Sequence, residues 1–218
     1  MCAAVTKPDG RIKRGEETQS RILQAAIDCI AEFGLGGTTI GRVAERSGVS
    51  HSLVIVHFKS KKNLFTAVLR ELCEPYEEEW VALCNDEQGD PLDRLMRMAE
   101  MELQHASQNP KAIAVWFAYW GLREGTEMYG EIVGPDDLTH TQTLRRLVGE
   151  VCVGQSAEQV ETIYYGVSSM LWGYLSMVHV GTTPPSPERV LCAIRQFLDP
   201  YVSDGKTPSS EPDASAGR

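Results

Sequence analysis

The sequence predicts an all-α fold: an N-terminal three-helix unit built around a helix-turn-helix, followed by a larger helical domain. Three observations carry this. Apolar residues recur at three- and four-residue spacing, as in Ile22, Leu23, Ala26, Ile27, Ile30 and Phe33. No stretch of useful length alternates apolar and polar residues as a half-buried strand does. Helix start and stop signals punctuate the pattern throughout.

Residues 16–34 read as the first helix, closed by a glycine at the C′ position. Thr38–Thr39 supplies an N-cap for a short helix reaching Arg46. The turn Gly48-Val49-Ser50 leads into a second short helix over about 51–58. Ser60 caps the next helix, which carries Leu64, Val68 and Leu72 on one face. Asp90–Pro91 and Asn109–Pro110 each join an N-cap to a proline at the first helical position, opening helices over about 91–107 and 110–123. A segment between about 126 and 152 is interrupted at Gly134–Pro135. A long helix follows over 156–180, then a proline-rich loop, then a last helix over about 187–202. The organisation expected is a flexible basic arm (1–15), a head (16–60), a second domain (61–202) and a disordered tail (203–218) without a bulky apolar side chain.

The 218 residues are 42% hydrophobic and 23% charged, the composition of an ordinary globular chain. No apolar run approaches the roughly 20 residues that span a bilayer, and the N-terminus has no apolar signal core, so no membrane association and a cytoplasmic location are expected. Six cysteines are scattered singly with no CxxC, which gives no support to a zinc site; Cys29 and Cys192 read as small hydrophobes on apolar helical faces. The formal net charge is −9, yet residues 1–72 carry eleven Lys/Arg against seven Asp/Glu. The basic first third is therefore a candidate for contact with a polyanion, and the acidic remainder is not.

The spacing Ala44…Gly48-Val49…Val54 is what two short helices joined by a tight turn need. The small Ala44 lets the second helix approach, Gly48 permits the turn, and Val43, Val49 and Val54 fill the angle between the helices. The outer side of such a second helix can enter a DNA major groove. Around it, Thr39 and Arg42 flank one side, Lys61 opens the next helix where an anion is favoured, and the arm residues Arg11, Lys13 and Arg14 can follow a groove. The stretch GLGGTTIGRVAERSGVSHSLVIVHFKSKKNL resembles the N-terminal DNA-binding domain of TetR-family transcriptional regulators. The resemblance implies a double-stranded DNA operator read by the 51–57 helix and a phosphate contact from Lys61. The residues it nominates are Ser50, His51, Ser52, Leu53, Ile55 and His57. Ser52 stands where the family usually has glycine. The aliphatic Ile55 and Val56 cannot donate a hydrogen bond; they meet thymine methyls, or Val56 packs inward.

In the acidic two-thirds, Ile113, Trp116, Phe117 and Trp120 share one helical face, and Tyr165 and Trp172 lie seven residues apart on the long helix. Such a stripe serves a core or the wall of an apolar pocket. The region is similar to the C-terminal domain of BetI-type regulators within the same family. That similarity implies a small-molecule effector, cationic or hydrophobic, held by Trp116, Phe117, Trp120, Tyr129, Tyr165 and Trp172. Glu124, Glu127 and Glu131 are near enough in sequence to assist a cation, or form a solvated face. Gly166, Ser169, Gly173 and Ser176 form a small-residue face. By the same resemblance they join Leu191 and Ile194 of the last helix in a homodimer interface. The sequence contains no Gly-rich phosphate loop, nucleophile elbow or HExxH, so no enzyme, cofactor or metal is expected. The alternative, a ligand-binding protein or enzyme with a vestigial DNA-binding head, is opposed by Lys61 and the basic first third.

Overall fold

The computed structural model describes residues 10–86 and 88–202, and among these there are ten α-helices and no strand. The head comprises α1 (Gly10–Gly37), α2 (Ile40–Ser47) and α3 (His51–Phe58). The body comprises α4 (Lys61–Asn85), α5 (Pro91–Gln108), α6 (Pro110–Trp120), α7 (Arg123–Ile132), α8 (Gly134–Val151), α9 (Ala157–Val180) and α10 (Pro187–Leu198), with a 3-10 turn at Asp199–Tyr201.

The head is set by local chemistry. The Thr39 hydroxyl accepts from the Arg42 N–H at 3.2 Å and starts α2. Gly48 stops it in the left-handed conformation (φ 68°, ψ 30°), and the N–H groups of Gly48 and Val49 return to the carbonyls of Glu45 and Ala44. Ser50 and Ser60 cap α3 and α4 in the same way, accepting from Leu53 N–H at 3.2 Å and Asn63 N–H at 3.1 Å. Val43 and Val54 are fully buried in the angle between the helices, with Ala44 buried and Val49 packed at its margin.

The α4 helix leaves the head and crosses into the body. Its first half buries Leu64, Phe65, Val68 and Leu69, and the fully buried Tyr119 of α6 donates its hydroxyl to the Phe65 carbonyl at 2.9 Å. Head and body therefore share one continuous apolar core, and α6 lies along α1.

Several expectations are corrected. Helix α1 begins at Gly10, so the backbone of Arg11, Lys13 and Arg14 is helical instead of forming an arm; residues 1–9 and the Arg11 side chain lie outside the described residues, as does the tail at 203–218. Gly34 takes φ 66°, the positive value expected of a C′ glycine, but the chain re-enters a short helical turn before Gly37. The helix expected over 110–123 ends at Trp120, and α7 starts three residues later. Gly134–Pro135 separates α7 from α8, with proline at the start of α8 where its missing N–H costs nothing. Pro200 ends the last helix in a 3-10 turn. Cys192 is exposed and lies off the apolar face of α10. Val56 is 60% exposed and faces solvent.

Two of the residues expected between copies of the chain are used within it. Ile194 is fully buried, and Gly166 is covered by the Phe197 ring, so that an added Cβ would sit 2.7 Å from Phe197 Cε1. The outer side of α9 keeps Ser169 and Gly173 over a shallow groove toward α10, with Ser176 and Leu191 half-buried beside it. Tyr165, Trp172, Met177 and Val180 are exposed along α9.

Candidate functional site

The chemistry-bearing residues gather in two places. The first is the outer face of the head. On α3, His51, Ser52 and Val56 are exposed, while Leu53, Ile55 and His57 are half-buried. The Ser50 and Ser52 hydroxyls are 2.9 Å apart and share a hydrogen bond, which orients Ser52 beside the N-cap. Thr39 is exposed at the start of α2. The two flanking cations are held against the protein: the Arg42 guanidinium lies 4.6 Å over the Phe33 ring and donates to the Gly37 carbonyl. Lys61 Nζ lies 5.0 Å from the Phe65 ring centre and 3.4 Å from the Leu35 carbonyl it donates to. Both are long side chains at helix N-termini, placed so that their charge can swing outward to an anion. Lys13 is exposed on the first turns of α1.

The second place is a cavity of about 140 Å³ in the body, enclosed by α4 to α9. Its apolar wall is aromatic. Trp120 is the hub, with ring centres 5.0 Å from Trp172, 5.4 Å from Tyr129 and 6.5 Å from Trp116. Trp116 is 6% exposed; Tyr76 meets it edge-on at 5.5 Å and His105 stacks on it at 5.5 Å. Trp80 closes another side against His140. Pro75 lies inside α4 in the turn that carries Cys73, Tyr76 and Glu77; it has no N–H to offer the preceding turn, so the helical ladder is interrupted beside the cavity.

The polar wall is acidic. Glu77, Glu102, Asp136 and Asp137 line it, and the one basic group among them is His140, whose Nε2 is 2.6 Å from a Glu102 oxygen. Tyr129 donates its hydroxyl to Asp137 at 3.3 Å. Burial raises the Glu77 carboxyl above its ordinary range and the neighbouring Asp136 adds to the rise. Burial also raises Asp137, against the opposing pull of the Tyr129 hydrogen bond and the His140 charge. For His140, burial works downward, but the charge and contact of Glu102, with help from Asp137, outweigh it and hold the imidazole above its usual value. A raised folded-state value means that the group's contribution to stability is complete below its ordinary pKa and is lost as pH rises through the folded value. For His140 this loss begins above about pH 6.5. The melting temperature of the protein minus that of a His140→Gln variant is therefore expected to be largest below pH 6 and to shrink toward pH 8. A constant difference across that range would show that the Glu102–His140 pair carries no charge.

Of the six residues expected to hold a ligand, Trp116, Trp120, Tyr129 and Trp172 line this cavity and two do not. Phe117 stacks on His179 with centres 4.2 Å apart, and Tyr165 is 60% exposed beside Tyr164. Glu124, Glu127 and Glu131 also lie outside it; Glu127 pairs with Arg123, and Glu131 stands 3.9 Å from Lys62. Sequence reading missed Tyr76, Glu77 and Trp80, although their spacing on α4 put them within one turn of each other. It also missed the acidic pair after Gly134–Pro135, the break that starts α8. Among the described residues no group of His, Cys, Asp and Glu could hold a metal ion, and no helix is long and apolar enough to cross a membrane.

Head and body make a close contact beside a cleft of about 130 Å³, lined by Leu35 and Gly36 of α1, Lys61 and Phe65 at the start of α4, and Leu122, Gly125 and Met128 at α7. Gly125 permits it: a Cβ there would sit 2.7 Å from Leu35 Cδ1 and overlap the Tyr119 carbonyl oxygen.

Residues 22–68 match the family model described as bacterial regulatory proteins, tetR family. Relatives named HTH-type transcriptional regulator BetI include that of Stenotrophomonas maltophilia (strain R551-3), 26% identical over 110 residues. That match spans about half of each protein, 50% of this chain and 56% of the relative. The BetI of Escherichia coli (strain K12) is 21% identical over 183 residues, 84% of this chain and 92% of that protein. The solved structure of a putative transcriptional regulator from Saccharomonospora viridis in complex with choline shares the fold, with a TM-score of 0.64 at 21% identity over 86% of this chain and 98% of that one.

Proposed function

We propose that the chain is a transcriptional regulator of the TetR family with BetI-like similarity: a homodimeric, cytoplasmic repressor whose operator affinity is lowered by a small organic cation. The observation that carries this reading is the pairing of an exposed α3 with an aromatic, acidic cavity built on helices that also support the head. The base-reading residues proposed are His51, Ser52, Leu53, Ile55 and the exposed Val56, with Ser50 and His57 at the two ends of α3. Thr39, Arg42, Lys61, Arg11 and Lys13 are proposed for phosphates. Two copies meet through the outer side of α9 at Ser169, Gly173 and Ser176, and through Leu191 of α10. The pairing sets two reading heads about one DNA turn apart on an inverted repeat.

The cavity supports a cationic effector because its carboxylates outnumber its bases and its remaining wall is aromatic. The choline complex of a protein of the same fold points the same way. The proposed mechanism is a population shift. An effector that re-sets α6 and α7 changes how Leu122 and Gly125 seat Leu35 and Gly36, and the dimer is drawn toward a head separation that no longer matches successive major grooves. Capture of sheared genomic DNA by the purified protein, followed by sequencing, tests the reading. Enrichment of a few sites sharing an inverted repeat is expected; uniform or absent capture by protein stripped of any co-purified ligand would refute it. Lys61→Ala is expected to weaken binding to all DNA sequences alike and to reduce the salt dependence by about one counterion per head. A loss confined to one sequence would instead make Lys61 a base reader.

A further inference from the structure

We propose that the effector is a protonated amine that keeps at least one N–H and also carries a neutral oxygen acceptor, a chemistry distinct from that of a quaternary ammonium. The inference rests on the cationic-effector reading above and specifies its ligand. Three features of the cavity lead to it.

The first is the state of the aromatic wall. A quaternary ammonium is held by free ring faces within about 6 Å. Here the rings lie on each other: Tyr129 meets Trp120 edge to face at 5.4 Å, and Trp172 leans on Trp120 at 5.0 Å. Four rings, Trp116, Phe117, Tyr129 and Trp172, crowd Trp120 within 6.5 Å, so the rings offer an apolar wall in place of an open cage.

The second is a surplus of acceptors. Glu77 and Asp136 are close enough to share a hydrogen bond, and Asp137 receives one from Tyr129. His140 is committed to Glu102. Among the described residues no lysine or arginine forms an ion pair with Glu77, Asp136 or Asp137. Carboxylates in such a place are satisfied by charge-assisted N–H donors, which a trimethylammonium group lacks and a protonated primary, secondary or tertiary amine has.

The third is an independent, poorly satisfied donor. Trp116 is 6% exposed, lines the same cavity, and its Nε1–H meets no oxygen or nitrogen acceptor, only the Cys73 sulfur. The thiol of Cys73 beside it, pushed up to about 12 by burial, stays protonated and is a weak acceptor. A buried N–H of this kind is costly when unmade. A hydroxyl, ether or carbonyl oxygen on the ligand would satisfy it, whereas a second ammonium would not.

A methylation series separates the contributions. Ethanolamine, N-methylethanolamine, N,N-dimethylethanolamine and choline share one hydroxyl and one positive charge at pH 7.5 and differ in N–H count; ethylamine removes the hydroxyl. Binding to the full chain is read by calorimetry and by the fluorescence of the cavity tryptophans. Each of the three amines with an N–H is expected to bind about tenfold or more tighter than choline, the scale of one charge-assisted hydrogen bond. Glu77→Gln with Asp136→Asn is expected to erase that preference. Trp116→Phe keeps the ring and removes the N–H, so it is expected to abolish the advantage of ethanolamine over ethylamine while leaving the N–H preference in place. Choline binding as tightly as the other amines, or tighter, would overturn the inference and leave the cationic-effector reading standing. No binding by any member of the series would overturn both.

Discussion

Trp116→Ala is expected to cost about 4 kcal/mol of folding stability, while Trp120→Ala, one helical turn away, is expected to weaken effector binding and leave the fold in place. The two tryptophans lie on one face of α6 but not at one depth. Trp116 is 6% exposed, clasped by Tyr76 and by the stacked His105, so its removal empties a large volume in the shared core. Trp120 is only half-buried and has its neighbours on the cavity side: Trp172, Tyr129 and Phe117. Losing that ring removes the hub of the wall. An effector that rests on it is expected to bind about tenfold more weakly, the scale of one lost apolar wall contact. Thermal denaturation of both variants, with effector titration and operator binding of Trp120→Ala, makes the comparison. Equal stability losses would mean that the aromatic stripe is simple core along its whole length.

Gly125→Ala is expected to lower stability by about 3 kcal/mol, or a melting temperature lower by roughly 5–10 °C, and to weaken operator binding through the head. An added methyl would overlap the Tyr119 carbonyl oxygen and press on Leu35 Cδ1 at 2.7 Å. Neither neighbour is free to move. The Tyr119 side chain is fully buried and tied to the Phe65 carbonyl, which fixes its backbone, and Leu35 is buried at the foot of the head. Gly166 offers the control. A methyl there would meet the ring of Phe197, the far end of a half-buried side chain on α10 that can rotate aside. Gly166→Ala is therefore expected to cost under about 1 kcal/mol. Similar losses for the two variants would show that the rigidity of Tyr119 is not what makes Gly125 necessary.

What the chain revealed before folding was whatever its neighbours in sequence decide. The helix starts at Thr39, Ser50 and Ser60 and the stop at Gly48 each depend on a hydrogen bond or a backbone angle within five residues. The helix-turn-helix was therefore legible, down to the bounds of α3. The stripe of Trp116 and Trp120 was legible too, because helical periodicity is a local property.

Residues assigned by side-chain partners across the fold were not legible in this way. Phe117 belongs to the same stripe as Trp120, yet it turns to His179 on α9, a residue 62 positions later in the chain. The acidic pole of the cavity brings Glu77 of α4 beside Asp136 of α8, and Glu102 of α5 beside His140 of α8. Ile194 looks as suitable for an interface as Leu191, and is buried because α10 turns that side inward. Periodicity states that a helix has an apolar face; which helix covers that face follows from the packing of all the others. Burial, and with it the position of each cavity charge, is a property of that packing, and so it came into view only with the folded chain.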